Sequence, residues 1–158
     1  ETHLAEVTRE LDAGLLRSVL ANLLTNAVKY SKPGRKVALS LRERSETLAL
    51  QARAKSEAEA SGGRAPHAHL AEQDGYRTAS LDFTITDVGI GIPAADQARL
   101  GEPFHRASNV GDINGTGLGL AVVKRCVALC GGTLTINSEE GRGTTASITI
   151  PAYIIHHS

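Results

Sequence analysis

Three glycines at alternate positions, in Gly115-Thr116-Gly117-Leu118-Gly119-Leu120, run straight into the apolar-periodic segment from Ala121 to Val127. Residues without a Cβ let backbone pass close to a ligand, and the first turn of the helix that follows offers free N–H groups with partial positive charge. Such an end suits phosphate, and it also suits a flexible corner; the glycines alone leave both readings open. A second group centres on Asp87, which ends the alternation Leu81, Phe83, Ile85 and is followed by Gly89 and Gly91. If the pleat continues, the carboxylate shares the apolar face. Burying it without a partner is costly, so it is expected to hold something specific. The competing reading is an Asp-Xaa-Gly turn that closes the strand. Third, Asn22, Asn26 and Lys29 fall in a narrow arc beside the apolar stripe of one helix, at about 100° per residue. Two amides and an ammonium then line the edge of a buried face.

The elements that must position these groups follow from periodicity. From Asp12, a suitable N-cap, Leu15, Leu16, Val19, Leu20, Leu23, Leu24, Ala27 and Val28 recur at helical spacing as far as Tyr30, and Ser31-Lys32-Pro33-Gly34 ends the helix. Val37, Leu39 and Leu41 alternate with polar residues, as do Leu81, Phe83 and Ile85 and then Leu134, Ile136, Ala146, Ile148 and Ile150, the pattern of half-buried strands. A short helix is expected near Ala94 to Leu100, a polar loop able to move over 107–114, a helix stop at Gly131-Gly132, and a turn at Glu139-Glu140-Gly141-Arg142-Gly143. Leu4 to Thr8 reads as a short strand. Residues 45–79, rich in Ala, Glu, Ser, Gly and Arg, read as a mobile insertion with a helical piece from Leu48 to Ala60, and residues 152–158 as a C-terminal tail. Cleanly alternating strands have one wet and one covered face. The expected fold is therefore α+β, a two-layer sandwich with helices on one face of a mixed, mostly antiparallel sheet.

Composition narrows the function. The chain has 158 residues, enough for a single domain over 1–158 with a genuine core. Lys plus Arg equals Asp plus Glu at 17 each, so there is no basic field to drive nucleic-acid binding. No apolar run is long enough for a membrane span and no metal-finger spacing occurs, so no direct membrane contact is expected. Cys126 and Cys130 read as core thiols in a reducing compartment, with metal or redox use as the alternative. A P-loop is excluded because no Gly-Lys-Ser/Thr follows a glycine loop, and the 115–120 cluster fails the dinucleotide fingerprint.

Taken in order, the motifs resemble the catalytic, ATP-binding domain of sensor histidine kinases, a branch of the Bergerat-fold superfamily that also holds gyrase, mismatch-repair and heat-shock chaperone ATPases. Residues 22–31 are similar to the asparagine box, Asp87-Val88-Gly89-Ile90-Gly91-Ile92-Pro93 to the first glycine box, and Glu102-Pro103-Phe104-His105-Arg106 to the phenylalanine box. Gly115 to Leu120 resembles the second glycine box and Gly141-Arg142-Gly143-Thr144 the turn before the last strand. The resemblance implies ATP and Mg2+ as cofactors. Asn26 would be the magnesium ligand, with Asn22 assisting through metal-bound water or phosphate, and Lys29 would meet a phosphate as a point charge. It also implies that Tyr30 packs along the nucleotide and that Asp87 accepts a hydrogen bond from the adenine amino group. Gly89 and Gly91 would shape the base pocket, Arg106 would contact phosphate, and Gly115, Thr116, Gly117, Leu118 and Gly119 would wrap the polyphosphate as the 107–114 lid closes.

The implied activity is protein-histidine kinase. The nucleophile would be a histidine on a separate dimerisation and phosphoacceptor domain, the next acceptor an aspartate of a response regulator, and the full-length protein a homodimer with its catalytic portion in the cytoplasm. ATPase branches of the superfamily typically place a glutamate one turn before the magnesium asparagine; here Asn22 stands there and cannot act as a general base, so hydrolysis should be poor. His3 lacks the surroundings of a phosphoacceptor box, so no phosphoacceptor domain is expected within 1–158. Gly101 departs from the family, which usually has an aromatic residue before Glu102. With the 45–79 segment it motivates the alternative of a nucleotide-binding regulatory module without transfer; an ATPase of the same superfamily is a further alternative, against which Asn22 stands.

Overall fold

The computed structural model describes residues 12–45 and 76–155. The expected strand at Leu4 to Thr8, the helical piece from Leu48 to Ala60 and His3 lie outside the described residues.

Helix α1 spans Ala13–Tyr30, and Asp12 caps it: Oδ1 accepts from the N–H groups of Gly14 at 2.8 Å and Leu15 at 3.0 Å. These are two of the donors that a helix start leaves without partners. Asp12→Ala is expected to cost about 0.5–2 kcal/mol of folding stability, read as a lower urea midpoint at unchanged slope. Strands β1 (Val37–Ser45) and β2 (Tyr76–Asp87) follow, then the short helix α2 (Ala94–Gln97) and a single 3-10 turn at Ser108–Val110. Helix α3 (Gly119–Leu129) and strands β3 (Thr133–Glu139) and β4 (Gly143–Ile155) complete the described chain. At the end of α3, Gly131 takes φ +66°. Its N–H bonds Ala128 O at 3.0 Å, and Gly132 N–H bonds Val127 O at 2.9 Å, a Schellman stop.

The sheet order is β1-β2-β4-β3 and every pairing among the described strands is antiparallel. The α+β sandwich is as expected, with an antiparallel rather than mixed sheet over these residues. Two boundaries differ from the sequence expectation. Ser45 pairs with Ala79 at the end of the β1–β2 ladder, and β2 continues back to Tyr76, so both ends of the 45–79 segment are strand. The last strand likewise runs through 152–155, opposite 76–79, where a tail was expected. Each of these short runs is uninformative alone. Backbone hydrogen bonding between them makes both extended, which a reading of one segment at a time cannot see.

Helices α1 and α3 lie on one sheet face. Val19, Leu23 and Ala27 from α1, Val123, Cys126 and Val127 from α3, and Phe83, Ile85, Ala146, Ile148 and Ile150 from the central strands form one buried cluster. Full burial of each such large side chain contributes about 1.5–3 kcal/mol against the chain entropy lost. Both cysteines are unpaired. Burial pushes the Cys130 thiol up, so it stays protonated beside the core. The other sheet face is polar: Thr149 Oγ1 donates to Asp82 Oδ1 at 2.7 Å, and Arg44 to Asp82 Oδ2 at 2.5 Å. The alternation thus sets which side carries the helices, and the helices in turn enclose the site.

Candidate functional site

Between α1, the start of α3, the ends of β2 and β4, and the 105–117 segment lies a cavity of about 290 Å³. Small-molecule sites start near this size. Its lining includes Asn22, Asn26, Lys29, Tyr30, Asp87, Gly91, Arg106, Gly115, Thr116, Gly117 and Gly119. Nine residues singled out by type and spacing, with Tyr30 and Arg106 from the resemblance, therefore converge on one space. Gly89 and Leu118 are not among the lining residues, and each has a different reason to be where it is.

Asp87 follows the pleat: it sits on the face of Phe83 and Ile85 and is 9% exposed. Its Oδ1 accepts from Gly89 N–H at 2.9 Å and Thr144 N–H at 3.3 Å. Among the described residues, no protein donor reaches Oδ2. Burial raises the Asp87 carboxyl above the usual carboxylate range, with the bonds from Gly89 and then Thr144 pulling the other way. The turn reading is thus met through Oδ1, and Oδ2 is the oxygen left for the ligand reading.

Gly89 is a packing glycine. A Cβ there would lie 2.3 Å from Tyr30 O, the same carbonyl that accepts from Ile90 N–H at 3.1 Å, and Ser31 bridges to Gly89. It pins the end of β2 to the end of α1. Gly91 has φ +64°, and a Cβ would lie 1.9 Å from Glu139 O. Next to it, Gly141 N–H donates to Ile90 O at 2.7 Å, tying the β3–β4 turn to the cavity floor. Both glycines serve close backbone approach, and only Gly91 also borders the cavity.

At the other end, Asn22 Nδ2 donates to Ser18 O at 2.8 Å, which fixes the amide so that Oδ1 faces the start of α3, 3.0 Å from where a Gly119 Cβ would stand. Asn26 is half-buried, and its side-chain amide has no protein hydrogen bond among the described residues. Lys29 Nζ donates to Tyr30 Oη at 3.3 Å and lies 4.8 Å from its ring centroid. A Cβ on Gly115 would come within 2.5 Å of that Nζ, so the glycine admits the ammonium. Among the described residues no side chain caps the α3 start, which lies beside Asn22 and Asn26. Leu118 is the residue before that start, and its N–H is engaged by Thr116 Oγ1 at 3.3 Å.

Arg106 borders the cavity but its guanidinium is turned to the loop, donating to Gly111 O at 3.2 Å and Ile113 O at 2.5 Å. In this conformation it braces the 107–114 stretch. Gly101 has φ +84°, and the Lys124 side chain lies across it to reach Leu100 O. An aromatic residue there would need both a left-handed backbone and the space Lys124 fills. Lining residues that composition and spacing did not single out include Ile90, Ile92, His105, Val110, Ile136 and Ala146. The strand residues among them carried an alternation signal, but their joining to this site depends on pairing β4 with β2.

The model of the histidine kinase-, DNA gyrase B- and HSP90-like ATPase family matches residues 11–154. The sensor-like histidine kinase SenX3 of Mycolicibacterium smegmatis is 33% identical over 144 residues, which cover 90% of this chain and 29% of that protein. Among solved structures, the mycobacterial sensor histidine kinase MprB superposes with a TM-score of 0.60 at 26% identity, covering 92% of this chain and 79% of that one. Full-length ShkA in complex with AMPPNP gives a TM-score of 0.59 at 25% identity, covering 96% of this chain and 24% of that one. The chain spans less than a third of the length of curated relatives it matches, SenX3 among them. With a match over nearly its whole described length and a cavity assembled from the same motifs, the chain belongs to the family of histidine kinase-, DNA gyrase B- and HSP90-like ATPase domains.

Proposed function

We propose that the chain is the ATP-binding catalytic domain of a two-component sensor histidine kinase, acting on a histidine of a separate phosphoacceptor domain. One observation carries the reading. A single cavity joins a buried carboxylate with an unpartnered oxygen, Asp87, to an open amide, an ammonium and an uncapped helix start, Asn26, Lys29 and the first turn of α3. The two ends match the two ends of ATP: a base edge that donates, and a polyanion.

Asp87 Oδ2 would accept from the adenine amino group, Tyr30 would flank the nucleotide, and Lys29 with the α3 N–H groups and Thr116 would receive the phosphates. The donor set fits magnesium, a hard cation that takes neutral oxygens where the phosphates bring the charge. Asn26 would hold it, with the fixed Oδ1 of Asn22 placed for a metal-bound water, and the ion would offset phosphate charge. Transfer forms a bond from the acceptor imidazole nitrogen to the γ-phosphorus and breaks the bond to the β–γ bridging oxygen, releasing ADP. Asp87 is the only carboxylate bordering the cavity among the described residues, and it stands at the base end. A carboxylate to activate water beside the phosphates is therefore missing there, which favours transfer over hydrolysis.

The full-length protein would be a cytoplasm-facing homodimer that passes the phosphoryl group on to a response regulator. Incubation with labelled ATP and the cognate phosphoacceptor domain should yield an acid-labile, alkali-stable phosphoprotein. Tight nucleotide binding with no transfer would instead identify a regulatory module, and steady phosphate release from the domain alone an ATPase.

Asp87→Asn is expected to weaken ATP binding by roughly 1–3 kcal/mol, because the amide can still accept from Gly89 and Thr144 but loses the charged acceptor for the base. The nucleotide-free domain should respond oppositely. A carboxyl raised by burial favours the fold in its protonated form, and that contribution is full below the unfolded pKa and lost as pH rises through the folded one. The variant should therefore melt higher than the parent at neutral pH, with the gap closing as pH falls through the carboxylate range. Thermal melts over that range check the sign.

A further inference from the structure

His105 has no part in the reading above. Its side chain is 9% exposed, and its Nε2 is buried without a hydrogen-bond partner among the described residues, 3.7 Å from Asp96 Oδ1. That separation is beyond a hydrogen bond, though within reach of one by a small side-chain rotation. The other oxygen of Asp96 is engaged: Oδ2 accepts from both the backbone N–H and the hydroxyl of Ser108, each at 2.8 Å. Asn109 Nδ2 then donates to Gly91 O at 3.1 Å. One carboxylate of α2 thus seats the base of the 107–114 stretch, and half of that carboxylate is unused.

Arg99, just after α2, is paired with Glu102 at 3.0 Å, and Lys124 of α3 is held on Leu100 O. Arg106 is turned to Gly111 and Ile113, while Lys29 of α1 and Asp87 of β2 border the same cavity from other walls. Hydrogen bonds from Ser108, first backbone and then side chain, hold the Asp96 carboxyl below the usual range. It stays ionised where an imidazole takes up its proton.

We propose that His105 is a positioning residue for nucleotide capture: on taking a proton from solvent, its Nε2 pairs with Asp96 Oδ1 and fastens the base of the 107–114 lid to α2. The inference rests on the cavity being an ATP site. A lid seated before the ligand arrives leaves less ordering to be done on binding, so affinity rises. The predicted sign is tighter binding as pH falls, owed to this one pair.

The test compares the parent, His105→Asn and Asp96→Asn from about pH 5.5 to about pH 8.5, a span that brackets an imidazole titration. Calorimetry gives the affinity for a non-hydrolysable ATP analogue with magnesium, and amide exchange follows residues 105–113 without nucleotide. Titration of the nucleotide itself is common to all three proteins and cancels in their ratios. The parent-to-His105→Asn affinity ratio should rise about three- to fivefold as pH falls, the size of a single ion pair, with exchange slowed in the parent alone. Asp96→Asn should flatten both. A ratio that stays constant across the range, or exchange equally slow in His105→Asn at low pH, overturns the proposal. If no protein binds the analogue at any pH, the ATP reading fails, and the exchange measurement decides the pairing by itself.

Discussion

Replacing Asn26 by alanine should lower affinity for ATP measured with magnesium by about 100-fold, while affinity measured with a chelator present changes little. The reasoning is local. Asn26 lies one turn from Asn22 and one turn before Tyr30, on the edge of α1 that faces the cavity, and among the described residues its amide makes no protein hydrogen bond. Its removal leaves no orphaned partner, so melting should barely move. An amide kept only for packing would show the reverse pattern, a lower melting temperature with magnesium-dependent binding intact. Transfer to a phosphoacceptor histidine should fall at least in step with affinity, because the same residue would hold the charge-neutralising ion.

The largest effect on the fold itself should come from Gly91→Ala. The residue has φ +64°, and a methyl there would lie 1.9 Å from Glu139 O, a backbone atom that cannot turn aside. Left-handed backbone costs an L-residue about 1–2 kcal/mol, and displacing the β3–β4 turn adds to it, so the loss should reach roughly 2–4 kcal/mol. The displacement also disturbs the cavity, since Gly141 N–H hangs on Ile90 O and Asp87 takes a bond from Thr144 just beyond the turn. Gly34→Ala is the control: φ is +78° but nothing lies within 4 Å of the added atom, so only the backbone strain of about 1–2 kcal/mol should appear. Urea titrations of the two variants separate the contributions.

The features legible in the sequence are those of short range. Asp12 caps α1 through the next three residues, and the parity that turns Asp87 inward needs only the strand it ends. Asn22, Asn26 and Lys29 share an arc because helical spacing is rigid. Such features are local, and local chemistry is written in spacing. The role of Gly89 was not: the residue is glycine because Tyr30 O passes close by, and nothing near position 89 announces the end of α1. Arg106 was read as a phosphate contact from motif position, whereas here its donors go to carbonyls of its own loop, a choice that depends on the loop's path. The strand at 152–155 and the cavity wall from Ile136 and Ala146 depend on which strands pair. His105 carried no periodic signal at all, because its significance lies in a carboxylate nine residues earlier brought alongside by α2.

The central claim is that Asp87 at one end of the cavity and Asn26 with the α3 start at the other hold the two ends of ATP. Calorimetric titration of the domain with non-hydrolysable analogues of ATP and GTP, in magnesium, tests it most directly. The expected result is saturable one-to-one binding of the adenine analogue, with the guanine analogue weaker by at least about tenfold because its carbonyl would face the Asp87 carboxylate. Equal binding of the two, or none of the adenine analogue, would contradict it.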